Sequence, residues 1–322
     1  MRRDTIARLK RRTFLLASLA SAQNPPIPVI DTHIHLFDVS RPQGVPWPPK
    51  ENTVLYKTAL PDRYRKLATE FGIVGAIEIE ASPWLEDNQW VLDVAAKDEI
   101  LVGTVGDIEP GTPDFRKHLD RFHRNPLFRG IRYGNLWPRD GHTDDLDKMI
   151  DRREFVADLK ALDGAGLVLD SANPNPRLIH GLLRASDAVP NLRIVIDHLP
   201  KLEIPTDAAA KKAYYADLHE LGKRPQVFVK ISSVLRNVNG RVPEDLGFYR
   251  GLLDELWGIF GEDRVLYGSD WPNSDSLAEY PHIFRIVHEY VATKPREAQE
   301  KYFWRNSRAA YKWIKRDPAQ PG

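Results

Sequence analysis

Eight short apolar runs, each followed by a longer stretch with helical spacing, limit how this chain can fold. The runs cover residues 29–36, 73–80, 100–107, 128–133, 167–170, 192–198, 227–232 and 265–270. Helical patterns lie between them at 62–70, 86–97, 114–124, 152–162, 176–188, 208–221, 243–260 and 281–291. Several open on proline with an acidic residue in the first turn, as in Thr112-Pro113-Asp114 and Val242-Pro243-Glu244-Asp245, a common helix start. Strict alternation of strand and helix predicts a parallel sheet, because parallel neighbours need a long crossover and a helix supplies it. Eight such units between residues 27 and 316 predict one α/β domain, a closed (β/α)8 barrel, with an open doubly wound sheet as the alternative. No Gly-x-Gly-x-x-Gly follows any run, which argues against a dinucleotide fold. A last helical pattern, 295–314, is expected to cap the barrel, and residues 317–322 to form a disordered tail.

Bulk properties narrow the partners. A net charge of +1 over 322 residues offers no electrostatic reason to bind nucleic acid or an anionic membrane. The absence of cysteine excludes disulfides, thiolate-held zinc and thiol nucleophiles. A small-molecule substrate is the expected partner; the oligomeric state is not readable. Residues 1–22 have the layout of an export signal: Lys10-Arg11-Arg12, a short apolar core, then Ala20-Ser21-Ala22 as a small-x-small cleavage site. Arg11-Arg12 followed by Thr13-Phe14-Leu15 is like a bacterial twin-arginine signal, which predicts a folded, periplasmic protein beginning near Gln23. An amphipathic arm on a cytoplasmic protein is the alternative. The apolar core is too short to span a bilayer.

The chemistry gathers at strand ends. In Asp31-Thr32-His33-Ile34-His35 the two histidines stand two apart on the first strand, so they share a face. Two imidazoles so placed can chelate a divalent ion or polarise one carbonyl oxygen; two hydrogen-bonded structural histidines are the other reading. His198 ends the sixth run, Asp270 the eighth and Arg132 the fourth. A barrel brings such ends to one mouth, where polar groups must be solvated or paired. The loops 41–50, with Trp47, and 134–150 follow strands one and four and are the expected lid. Arg132 is a candidate carboxylate clamp, with a salt bridge to Glu80 or Asp107 as the alternative. Glu80, Trp84, Trp271 and Lys230 are further candidates for substrate contact, each with a structural alternative. Asp31 is expected to orient His33. The other seven histidines read as surface residues.

The Asp31-Thr32-His33-Ile34-His35 start, the Ile196-Asp197-His198-Leu199-Pro200-Lys201 segment and the Tyr267-Gly268-Ser269-Asp270-Trp271-Pro272 end resemble the amidohydrolase superfamily, and within it the amidohydrolase-2 branch of sugar-acid and dicarboxylate lactonases. The resemblance implies a TIM barrel with hydrolytic chemistry at its C-terminal face. It implies that Asp270 takes a proton from water, and that the histidines either hold a metal ion such as zinc or bind the ester carbonyl directly. Many metal-dependent members carry a histidine at the end of strand five; here Leu167-Val168-Leu169-Asp170 has none. A full zinc shell would then draw on His198 or Asp170 beside His33, His35 and Asp270, so metal-bound and metal-free catalysis both stay open. The expected activity is lactone opening. A metal-dependent decarboxylase of the same superfamily and a silent exported binding protein are the alternatives.

Overall fold

Strands pair in chain order all the way round. The structure is a computed structural model that describes residues 25–134, 137, 145–202 and 204–322. The expected export signal and His142 lie outside the described residues. The strands are β1 Val29–Ile34, β2 Ile73–Ile79, β3 Leu101–Gly106, β4 Phe128–Gly134, β5 Val168–Ala172, β6 Arg193–Ile196, β7 Val227–Ile231 and β8 Val265–Tyr267. All neighbours are parallel, in the order β1 to β8. The helices are α1 Pro61–Ala68, α2 Leu85–Lys97, α3 Phe115–His123, α4 Leu146–Met149, α5 Arg153–Gly164, α6 Pro176–Ala188, α7 Ala208–Gly222, α8 Leu246–Phe260, α9 Tyr280–Val291, α10 Arg296–Glu300 and α11 Asn306–Tyr311. This is the expected single (β/α)8 TIM barrel. Among the described residues no helix is long and apolar enough to cross a membrane.

The β8–β1 seam is closed by bonds around the chemical residues themselves. The Asp270 amide donates to the His33 carbonyl at 2.9 Å and the His35 amide to the Trp271 carbonyl at 2.8 Å. Asp31 Oδ1 accepts the Ser269 amide at 2.9 Å and the His33 amide at 3.1 Å. Gly268 permits the approach: a Cβ there would sit 2.9 Å from that of His33, so a side chain would push the seam apart.

Ile30, Ile77, Val102, Val168, Val195 and Leu266 point into the barrel and fill its lower half. The outward residues of the same strands pack on the helices in a larger cluster. Three expectations need correction. The final helix is not continuous: α10 and α11 are separated by a π-helical turn, Lys301–Arg305, and Lys312 turns left-handed at φ 51°. Its end enters the barrel floor, where Tyr311 and Trp313 join the interior cluster. Residues 317–322 are not a loose tail, since the buried Gln320 donates to the carbonyls of Val74 at 3.0 Å and Glu99 at 2.8 Å. Finally, α8 starts at Leu246 rather than Pro243, because the Asp245 carboxylate caps it by accepting the Gly247 amide at 3.0 Å.

Candidate active site

Four non-glycine residues at successive strand ends take left-handed backbone conformations: Asn173 after β5, His198 after β6, Ser233 after β7 and Asp270 after β8, with φ between 46° and 61°. They are four of the six such residues among the described ones. Left-handed geometry is costly away from glycine and concentrates where a fold over-determines a functional side chain. It is also why β6 and β8 stop at Ile196 and Tyr267, short of their expected ends. His198 and Asp270 leave the sheet there and turn their side chains across the mouth.

The result is a convergence of acceptor atoms. Asp270 Oδ1 is buried and has no hydrogen-bond partner among the described residues. It lies 3.3 Å from His35 Nε2, 3.6 Å from His198 Nε2 and 3.7 Å from His33 Nε2. Its other oxygen is anchored, accepting from the Ser233 hydroxyl and, at 3.0 Å, from the Asn273 amide. Burial opposes ionisation of Asp270, but His198 and His35 outweigh it and hold the carboxyl well below its usual range. His198 moves the other way: burial lowers it to about 4 against the pull of Asp270, so the ring is neutral at pH 7. His33 is lowered well below its usual value, again chiefly by burial.

The contacts of each ring fix its orientation and, for one of them, its proton. His35 Nδ1 is 2.8 Å from the Ile79 carbonyl, which can only accept, so this nitrogen carries the hydrogen. His33 Nδ1 lies between Lys230 Nζ at 3.2 Å and Asp197 Oδ1 at 3.5 Å, and its Nε2 is 3.2 Å from His35 Nε2. His198 Nδ1 is 2.8 Å from the Ser232 hydroxyl, which holds the ring with Nε2 facing Asp270.

Beneath the rings sits a buried charge cluster. Lys230, fully buried, lies 2.8 Å from Asp197 Oδ1 and 3.0 Å from Asp170 Oδ2. Burial and the neighbouring Asp197 raise Asp170 well above its usual range. Asp197, despite burial, is held well below by Lys230, His33 and Arg132. Asp170 Oδ2 also accepts from the Tyr311 hydroxyl reaching up from the barrel floor.

A cavity of about 250 Å³ opens above, lined by His35, His198, Asp270, Glu80, Arg132 and Asn173, with Trp47, Trp137, Lys201 and Asn273 at its sides. Arg132 is doubly held, by Asp197 at 3.1 Å and Glu80 at 3.7 Å, so it is both cavity wall and ion-pair partner. The two loops expected to form a lid each place a tryptophan here. Trp47 packs edge-on to His35, and Trp137 donates to Glu80 at 3.0 Å.

Other candidates fall elsewhere. Lys230 does not reach the cavity; it lies under His33 because β7 turns it inward below the rim. Trp271 is fully buried against Tyr64, and only its backbone serves the site. Trp84 is 38% exposed and precedes α2, outside the cavity wall. Asp31 binds the His33 backbone rather than its ring, and its other oxygen takes the Tyr64 hydroxyl at 2.7 Å. Ser233, Asn273, Asn173 and Trp137 were not singled out by the sequence. Small polar residues in turns carry no periodic signal, although Trp137 lay within the expected lid.

The trio His33, His35 and Asp270 fits a divalent ion by distance. Zinc bonds of about 2.0–2.2 Å place tetrahedral ligand atoms about 3.3–3.6 Å apart, against 3.2, 3.3 and 3.7 Å here. Asp170 does not share their site; its Oδ2 is held by Lys230 and Tyr311.

The depressed His198 makes stability pH-dependent. Its folded pKa of about 4 lies below the unfolded value of 6.5, so between these limits the unfolded chain binds more protons and stability rises with pH. The contribution is complete above pH 6.5 and is lost as pH falls toward 4. About 2 kcal/mol is expected to disappear between pH 6.5 and 5, with His33 adding to it. Chemical denaturation at pH 7 and pH 5 checks this; equal midpoints would show that neither ring is buried neutral.

Known proteins share this architecture. The amidohydrolase family model matches residues 30–313. An L-fucono-1,5-lactonase of Burkholderia ambifaria is 30% identical over 250 residues, 76% of this chain and 80% of that protein. An amidohydrolase from Burkholderia multivorans solved with bound zinc superposes with a TM-score of 0.75 at 21% identity, covering 89% of this chain and all of that one. A 2-pyrone-4,6-dicarboxylic acid hydrolase (so named provisionally) from Pseudomonas putida gives 0.67 at 18% identity, over 89% of this chain and 98% of that one. With a family match running from the first strand to the barrel plug, and with the rim histidines and aspartate inside it, the chain belongs to the amidohydrolase family.

Proposed function

We propose that this protein is a hydrolase that opens the ring ester of a sugar-acid lactone. The observation that carries the reading is Asp270 Oδ1, buried, unpartnered and facing three imidazole nitrogens beside a cavity. A depressed carboxyl stays ionised through neutral pH and can accept a proton from water as that water attacks the carbonyl carbon. The neutral His198 donates from Nε2 to the carbonyl oxygen as negative charge builds there. Collapse breaks the ring C–O bond, and Asp270 returns its proton to the leaving alkoxide. Water is consumed, a hydroxy acid leaves, and no other reactant is needed. Trp47 and Trp137 offer faces to a ring, and Glu80, Arg132 and Asn173 offer partners to its hydroxyls. The similarity to a fuconolactonase supports the sugar-acid class.

A divalent ion held by His33, His35 and Asp270 would supply Lewis-acid polarisation of the same carbonyl. The lack of a histidine at the end of β5, where many metal-dependent members carry one, favours catalysis without it. Lactone hydrolysis, followed with a pH indicator, is expected to survive chelation, with metal analysis finding well under one ion per chain. Activity that vanishes on chelation and returns with stoichiometric zinc would reverse this assignment. Inertness toward all sugar lactones would remove the functional reading.

A further inference from the structure

We propose that a second chamber beside Asp270 binds a side chain of the substrate, carried on the ring carbon that bears the ring oxygen. The inference rests on the lactone-opening reading and extends it to substrate class. The chamber encloses about 400 Å³, more than the cavity already described, and is formed by the segments after β7 and β8. Lys201, Asp270 and Asn273 line both spaces, so the base stands in the wall between them.

Its chemistry differs from that of the first cavity. Val234, Leu235, Leu277 and Ile283 give it apolar sides. Ser274, which also lines it, is 7% exposed, and its hydroxyl is buried with no hydrogen-bond partner among the described residues. A buried hydroxyl left unpaired is costly, and it points to an oxygen of whatever fills the space. The wall is preformed: Arg236 donates to the carbonyls of Ser233, Val234 and Leu235 at 2.8, 3.2 and 3.0 Å and pins the loop.

The reaction sets the direction. Asp270 returns a proton to the leaving oxygen, so the carbon bearing that oxygen must lie against Asp270. With the hydroxylated ring among Glu80, Arg132 and Asn173, a substituent on that carbon points past Asp270 into the second chamber. The occupant is a short carbon chain carrying one hydroxyl near its attachment. The carbons meet the apolar sides and the hydroxyl meets Ser274.

The test compares γ-butyrolactone with its 4-pentyl and 4-(1-hydroxypentyl) derivatives. Burying a methylene is worth roughly fourfold, so kcat/KM is expected to rise at least about tenfold from the bare ring to the pentyl lactone. The hydroxyl is expected to add roughly another threefold. Leu277→Trp fills the chamber from a partly exposed position; it is expected to abolish the gain while changing the bare lactone less than about twofold. Ser274→Ala is expected to remove the hydroxyl increment alone. If none of the three is turned over, the lactonase reading is judged separately on sugar lactones, and the chamber is judged by calorimetry with the free acids. There 4-hydroxynonanoate is expected to bind at least about tenfold more tightly than 4-hydroxybutyrate. A flat rate series, or acids that bind equally or undetectably, would overturn the proposal.

Discussion

Asp270→Asn is expected to lower kcat for lactone hydrolysis by about 10³-fold or more while leaving the fold intact. The geometry predicts how the amide will sit. Asp270 Oδ2 accepts from Ser233 and Asn273, two donors, so the amide oxygen of the variant keeps that place. The amide nitrogen then faces the three imidazoles where Oδ1 stood, and it has no lone pair to take a proton from water. The backbone bond from residue 270 to the His33 carbonyl is untouched, so the barrel seam remains closed. KM is expected to change little, because the ring contacts lie on other walls. Turnover within tenfold of the parent, with an unchanged melting profile, would show that another group is the base.

Lys230→Met is expected to destabilise the protein by about 3–5 kcal/mol, because it leaves a buried carboxylate without its partner. Asp197 would retain Arg132 at 3.1 Å but lose the ammonium at 2.8 Å. For a chain of this size that corresponds to a fall in Tm of roughly 4–7 °C. Loss of the ammonium packed against His33 Nδ1 also frees that ring to move, so kcat is expected to drop about tenfold or more. The two effects can be separated. Adding Asp170→Asn removes the second carboxyl of the cluster and is expected to recover part of the stability but none of the rate. A Tm within about 2 °C of the parent would mean that the cluster carries little of the barrel's stability.

Much of this architecture was legible in the chain. Strand and helix periods are local, and the alternation at 29–36, 73–80 and onward maps onto β1 to β8 with shifts only at the ends. His33 and His35 could be placed together because a strand repeats every two residues. The corrections share one cause. Lys230, Trp84 and Trp271 sit near strand ends in sequence, yet being near a rim does not say whether a side chain points into the mouth, down the barrel or back onto a helix. Lys230 goes down, Trp271 goes back against Tyr64, and Trp84 goes outward. Gln320, in an unremarkable terminal segment, is held by carbonyls more than two hundred residues away.

The order of elements and the residue types at the rim were settled by the chain alone, since hydrophobic period and strand geometry act over a few neighbours. Tertiary structure decided the left-handed turns at His198, Ser233 and Asp270, the ring orientations set by Lys230 and Ser232, and the second chamber behind Asp270. Each of these depends on contacts between segments far apart in sequence, which exist only once the seam between β8 and β1 has closed.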